Sequence, residues 1–171
     1  MKASQLLDSE YAPFYANYIN RAKNQTLIIG LKSSLDSALS FFETIPEEKL
    51  EFSYDVGKWT VKDIIQHLID AERVFAYRAL RFSRQDKMSL PGFDENNYTQ
   101  VAKANVRSRE VLLEEYVAVR KSTILLFKGF SEDTLKLIGM ASNSNMSVRA
   151  IGFVIIGHEK HHIDVIKSRY L

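Results

Sequence analysis

The chain has 171 residues, 46% hydrophobic and 26% charged, with a formal net charge of +2. That balance fits one soluble globular domain over residues 1–171 and lacks the basic excess that nucleic-acid binding needs. With no cysteine in the chain, disulfides, thiolate metal ligands and a cysteine nucleophile are excluded.

Residues 1–24 read as an N-terminal arm. MKASQLLDSEYAPF contains no apolar run of signal-peptide length. Tyr11, Phe14, Tyr15, Tyr18 and Ile19 then follow helical spacing, so the arm is expected to pack on the rest of the chain. The first long helix carries Ile28, Leu31, Leu35, Ala38, Phe42 and Ile45 in alternating three- and four-residue steps, one helical face, and Pro46 should end it. The second opens after Trp59, with Thr60 and Asp63 forming an approximate capping box. Its stripe is Val61, Ile64, Ile65, Leu68, Ala71, Val74, Phe75 and Ala79.

From about Ser83 to Ala104 the chain is long and turn-rich, with LPGFDENNY at its centre. A connection of that length in a compact domain is usually functional or a crossover. The third helix is expected from about Asn105 to Lys128, with Val106, Leu113, Val117, Ile124 and Phe127 inside and Gly129 as its stop. Residues 129–146 should hold a short helical turn beginning at Ser131, and strand signals are weak throughout. The fourth helix follows Ser147, a good N-cap. Its stripe is Val148, Ile151, Ile155, His158, His162, Val165 and Arg169. Four amphipathic helices of about 20 residues predict an all-α four-helix bundle. No stretch approaches the ~18 apolar residues of a membrane span, and the cytosol is the expected compartment.

All four histidines lie on the second and fourth helices. His158 and His162 are four residues apart, about 40° around the helix and about 6 Å along it, so both rings can reach one point. His67 sits on the stripe of the second helix, between Ile64 and Ala71. A buried imidazole without a partner costs roughly 1–3 kcal/mol, and a divalent metal held by three nitrogens, with one position open, accounts for all three rings. Imidazole suits zinc or nickel. HEKHH has Glu159 beside the first histidine, so it is not the zinc-protease HExxH motif. His161 is expected on the flank, facing solvent or an interface. Gly152 and Gly157 either leave room for a ligand or mark a close helix approach. Glu72 and Arg120 fall on or beside the apolar stripes, as a buried ion pair or edge residues whose stems snorkel, or else as support behind the histidines or a substrate anchor. The series Arg73, Arg78, Arg81 and Arg84 reads mainly as a solvated face, and Trp59 as a hydrophobic anchor.

KWTVKDIIQHLIDAERVFAYRALRFSR, LPGFDENNY and SVRAIGFVIIGHEKHHIDVIKSRYL together resemble the DinB/YfiT-like family of metal-binding four-helix proteins. The resemblance spans about Tyr11 to Leu171. It implies an up-down-down-up bundle with residues 83–104 as the crossover, a divalent metal (nickel or zinc) on His67, His158 and His162, and a homodimer. It also implies transfer of an external low-molecular-weight thiol to a small electrophile. On that reading Asp94, Asn97 and Arg120 are candidate substrate contacts. The alternatives are a metal-dependent hydrolase, with Asp63 or Glu159 as base, and a non-enzymatic metal-binding dimer. Neither nucleic acid nor a membrane is an expected partner.

Overall fold

The computed structural model describes all 171 residues. Its elements run α1 (Ala16–Arg21), α2 (Leu27–Thr44), α3 (Glu47–Leu50), α4 (Val61–Ser83), α5 (Glu95–Ala102), α6 (Arg109–Lys128), α7 (Glu132–Lys136), β1 (Ile138–Ala141), β2 (Ser144–Ser147) and α8 (Val148–Arg169). The long helices α2, α4, α6 and α8 form the bundle.

Side-chain pairs fix the direction of each helix. Gly30 faces Ile156, Gly152 faces Leu27, and Lys167 lies 5.0 Å over the Phe41 ring. Rising numbers on α2 therefore meet rising numbers on α8, and the two are parallel. Gln66 and Arg73 of α4 reach Arg107 and Glu115, so α4 and α6 are also parallel. Arg109 at the start of α6 bonds the Ile45 carbonyl at the end of α2. The Tyr170 hydroxyl at the end of α8 bonds the Trp59 carbonyl before α4. The two parallel pairs are thus antiparallel to each other, which is the up-down-down-up path. Parallel neighbours cannot be joined by a tight turn, so the chain between α4 and α6 must travel back along the bundle. This is the physical reason for the long segment 84–108.

The caps follow the sequence. Thr60 accepts from the Asp63 N–H and Asp63 returns a bond to the Thr60 N–H, and Ser147 caps α8. Ser131 caps α7, the expected short turn. Two expectations need correction. The third bundle helix begins at Arg109 with Ser108 as its cap. Val106 belongs to a preceding 3-10 turn and is 84% exposed, because Lys103 in the left-handed region (φ 51°) breaks the helical path. Residues 138–147 form a β-hairpin, with Ser142 and Asn143 both at positive φ in its two-residue turn. Leu90 of the crossover bridges to Ala141 at the hairpin's edge.

The core has two apolar halves. One is built around Leu27, Leu31, Phe75, Phe82, Phe127 and Phe153, the other around Phe42, Ile64, Ile65, Leu112, Tyr116 and Ile166. Between them lies a buried polar layer with one residue from each bundle helix: Ser34, Glu72, Arg120 and Glu159. Arg120 Nε reaches both Glu72 oxygens at 2.8 and 3.0 Å, Nη1 reaches Ser34 Oγ at 2.7 Å, and Nη2 reaches Glu159 at 2.8 Å. The Tyr116 hydroxyl donates to Glu159. Every charge in the layer has a partner, the condition under which buried ions are tolerated. Gly157 and Gly152 serve close packing. A Cβ on Gly157 would lie 1.8 Å from the Tyr18 carbonyl oxygen, and one on Gly152 would lie 2.5 Å from Leu27 Cδ1. Gly157 thus seats the N-terminal arm directly on α8.

Candidate metal centre

α4 and α8 bring the three stripe histidines together. His67 Nε2 lies 3.0 Å from His158 Nε2, and His162 Nε2 lies 3.1 Å from the same atom. The three donor nitrogens all fall within 4.8 Å of one another. His67 and His158 are buried and His162 is nearly so. Aromatic rings hold the imidazoles in place. Trp59 packs on His67 at 4.7 Å and stacks on His162 at 6.3 Å. Tyr18 meets His158 edge-on at 5.3 Å, and Phe75 does so at 6.2 Å. Trp59 is therefore a wall of the site as well as an anchor.

Burial keeps these rings uncharged. It pushes His67 down to about 4. It pushes His162 down to about 3, helped by His67 and His161. It holds His158 well below the ordinary imidazole range, with the other three histidines adding to the effect. Neutral imidazole is the form that ligates a metal.

The donor set fits a divalent cation. An imidazole Nε2 carries either one hydrogen or one lone pair, so two close contacts converging on His158 Nε2 cannot both be good hydrogen bonds. One cation satisfies all three nitrogens at once. Metal–nitrogen bonds of about 2.0–2.1 Å in tetrahedral geometry place their donors roughly 3.3 Å apart, close to the two spacings at His158 Nε2. Behind His158 a gap of about 10 Å³, the size of one water, separates it from Glu72, Arg120 and Glu159. The two carboxylates and one guanidinium of that layer place a net negative charge beside the nitrogens, a favourable setting for a cation.

In front of the rings lies a cavity of about 250 Å³, walled by Tyr15, Tyr18, Trp59, Phe75 and Phe93 and by the polar groups Arg78, Glu95, Asn96, Ser142 and His161. His161, expected on the flank facing solvent or an interface, is half-buried. It lines this cavity, its ring 5.5 Å from Tyr18, with a buried Nδ1 that has no partner. Three residues separate it from His158, or about 60° around the helix, so it shares much of the same face.

The expected substrate contacts lie elsewhere. Asp94 caps α5 by accepting the Asn97 N–H at 3.0 Å, and their neighbours Phe93, Glu95 and Asn96 line the cavity in their place. Arg120 is 1% exposed, locked in the polar layer behind His158. The two carboxylates considered as bases are also engaged: Asp63 in the α4 cap and Glu159 with Arg120 and Tyr116. Sequence reasoning missed Arg78. It sits in a run of arginines that otherwise face outward, yet it is 3% exposed at the cavity wall.

Comparison with known proteins gives the chain a family and a related fold. A model of the DinB superfamily matches residues 31–166. A protein of Geobacillus thermodenitrificans (strain NG80-2), named "Putative metal-dependent hydrolase", is 24% identical over 143 residues, covering 82% of this chain and 80% of its own. The solved structure of YfiT from Bacillus subtilis superposes with a TM-score of 0.72 at 16% identity, covering 83% of this chain and 82% of that one. YfiT is described as a "probable metal-dependent hydrolase with an unusual four-helix bundle topology", and its likeness here is one of fold. With the family model covering most of the bundle, the chain belongs to the DinB superfamily.

Proposed function

We propose that this protein is a metal-dependent enzyme that transfers an external low-molecular-weight thiol to a small electrophile at His67, His158 and His162. The observation that carries the reading is the convergence of three Nε2 atoms at the wall of a cavity. A divalent cation, zinc or nickel, would supply an open coordination position that lowers the pKa of whatever thiol or water it holds. The chain supplies the rest. The three imidazoles fix the position of the centre, and Trp59, Tyr18 and Phe75 hold those rings and exclude water from one side. The cavity in front of them accepts the electrophile. Thiol transfer needs no carboxylate base, and neither Asp63 nor Glu159 is free to act as one.

Hydrolysis is the second reading. The description of the Geobacillus relative favours it, as does the Glu95 carboxylate on the cavity wall. One experiment separates the two. Metal-loaded protein is incubated with a model electrophile, a model ester and a model amide, each with and without an added low-molecular-weight thiol. Thiol-dependent consumption of the electrophile, lost in His67→Ala, supports transfer. Ester or amide cleavage without thiol, reduced in Glu95→Gln, would replace it with hydrolysis.

A further inference from the structure

Three arginines are buried in this protein: Arg78, Arg120 and Arg149. Two are neutralised. Arg120 pairs with Glu72 and Glu159, and Arg149 pairs with Glu10. Arg78 has no carboxylate partner. Its Nη2 makes both of its hydrogen bonds, to the Pro91 carbonyl at 3.1 Å and to Ser142 Oγ at 2.9 Å. Its guanidinium lies 5.8 Å from the centre of the Phe75 ring and beside the Tyr15 hydroxyl. All of these neighbours are neutral. A buried cation is normally paired, and this one is the buried arginine that lines the cavity in front of the histidines.

We infer that Arg78, with the hydroxyls of Ser142 and Tyr15, is the binding site for an anionic group, a carboxylate, at the far end of the substrate. The inference rests on the metal-centre reading only for where the reacting end lies. The crossover and the hairpin hold Arg78 in place through Pro91 and Ser142. Once Ser142 has accepted from Arg78, its own hydroxyl hydrogen remains to be donated, so the corner is rich in donors. Glu95 lines the same cavity on its exposed side and makes no ion pair with Arg78.

The helix sets the length of the ligand. His67, Ala71, Phe75 and Arg78 share one face of α4, and eleven residues separate the first from the last, about 16 Å along the axis. Helical side chains lean toward the N-terminus, which brings the guanidinium back toward His67 and shortens the gap to roughly 10–15 Å. Ala71 and Phe75 form the wall between them. The substrate class is a small elongated acid with an anionic end at Arg78, an apolar middle and a reactive group at the histidines.

The test compares 4-phenylbutyrate with 4-phenylbutyramide, by calorimetric titration at neutral pH. Each is titrated into metal-free and metal-loaded protein, into Arg78→Gln and into Arg78→Lys. A charged hydrogen-bond partner predicts that metal-free wild type binds the acid about tenfold or more tightly than the amide. Arg78→Gln should abolish that preference, lowering acid affinity far more than amide affinity, and Arg78→Lys should retain part of it. The comparison within wild type needs no variant, and retained amide binding shows that the variants are folded. Equal affinity for acid and amide, no acid binding at millimolar concentration, or an acid preference that survives Arg78→Gln would each overturn the inference. An acid preference seen only with metal and insensitive to Arg78 places the carboxylate on the cation, which overturns this site and leaves the metal centre standing. An Arg78-dependent preference in a protein that takes up no metal does the reverse.

Discussion

Acid should weaken the metal-free protein, and the three histidines should account for most of the effect. Burial pushes His67 from the ordinary 6.5 down to about 4, whereas in the unfolded chain it titrates at its ordinary value. Between those two pH values the unfolded state binds more protons than the native state, so native stability rises with pH and falls as acid is added. The effect is absent above about pH 7, where both states are neutral, and complete below about pH 4, where both are charged. At ~1.36 kcal/mol per pH unit it amounts to about 3 kcal/mol for His67. His158 and His162 shift in the same direction, so the total loss is several kcal/mol, a large share of a typical 5–15 kcal/mol stability. Urea unfolding followed by circular dichroism, in chelator, at steps from pH 7.5 to pH 4.5, measures it. His67→Gln should lose about 2–3 kcal/mol less than wild type over that range, because one depressed titration is gone and its neighbours lose a repelling charge. A wild-type stability that is flat to pH 4.5, or identical slopes in the two proteins, would refute the claim that these rings are buried and neutral against one another.

Gly157→Ala would push a methyl group into the Tyr18 carbonyl. A backbone atom cannot rotate away, so a cost of about 1–3 kcal/mol follows, lowering Tm by roughly 3–10 °C for a domain of this size. Metal uptake should survive, since α4 and α8 stay packed. An unchanged Tm by calorimetry would mean the arm is not seated on α8. Arg120→Met leaves Glu72 and Glu159 buried without their shared partner and should cost about 3–5 kcal/mol by urea denaturation. A loss below about 1 kcal/mol would show that the polar layer is solvated. At neutral pH, added zinc or nickel at about a hundred times its Kd should stabilise the wild type by about 2.7 kcal/mol, and His158→Ala should remove that gain.

Local rules made the bundle legible. The three- and four-residue stripes, the Thr60–Asp63 box and Ser147 depend on residues within a turn of each other, and α2, α4 and α8 begin and end close to where those signals lie. The histidine triad was legible for the same reason: each ring sits on a stripe already committed to the core. What failed depends on distant partners. Val106 continues a stripe in sequence, but the left-handed Lys103 takes it off the helix. The hairpin strands are four residues each, too short for a period to register, and they are stabilised by Leu90 and by packing Gly139 against Phe82. Arg169 continues the α8 stripe yet is exposed, while Ile163, Ile166 and Tyr170 take the buried positions. Arg78 shows the limit most clearly. It lies three residues after Phe75, on the edge of the histidine face, but also three before Arg81, so spacing alone puts it on the border between the two faces, and the crossover and hairpin complete its cover. The periodicity of α4 places Arg78 beside the stripe but does not record that cover.

The central claim is that the Nε2 atoms of His67, His158 and His162 share one divalent cation. X-ray absorption at the metal edge of untagged protein loaded with zinc or nickel, together with metal-to-protein stoichiometry, tests it most directly. The account predicts one metal per chain, three imidazole nitrogens at about 2.0–2.1 Å with the remaining ligands light atoms from solvent, and loss of binding in His67→Ala. Fewer than three imidazoles in the scattering shell, or uptake that persists unchanged in His67→Ala, would contradict it.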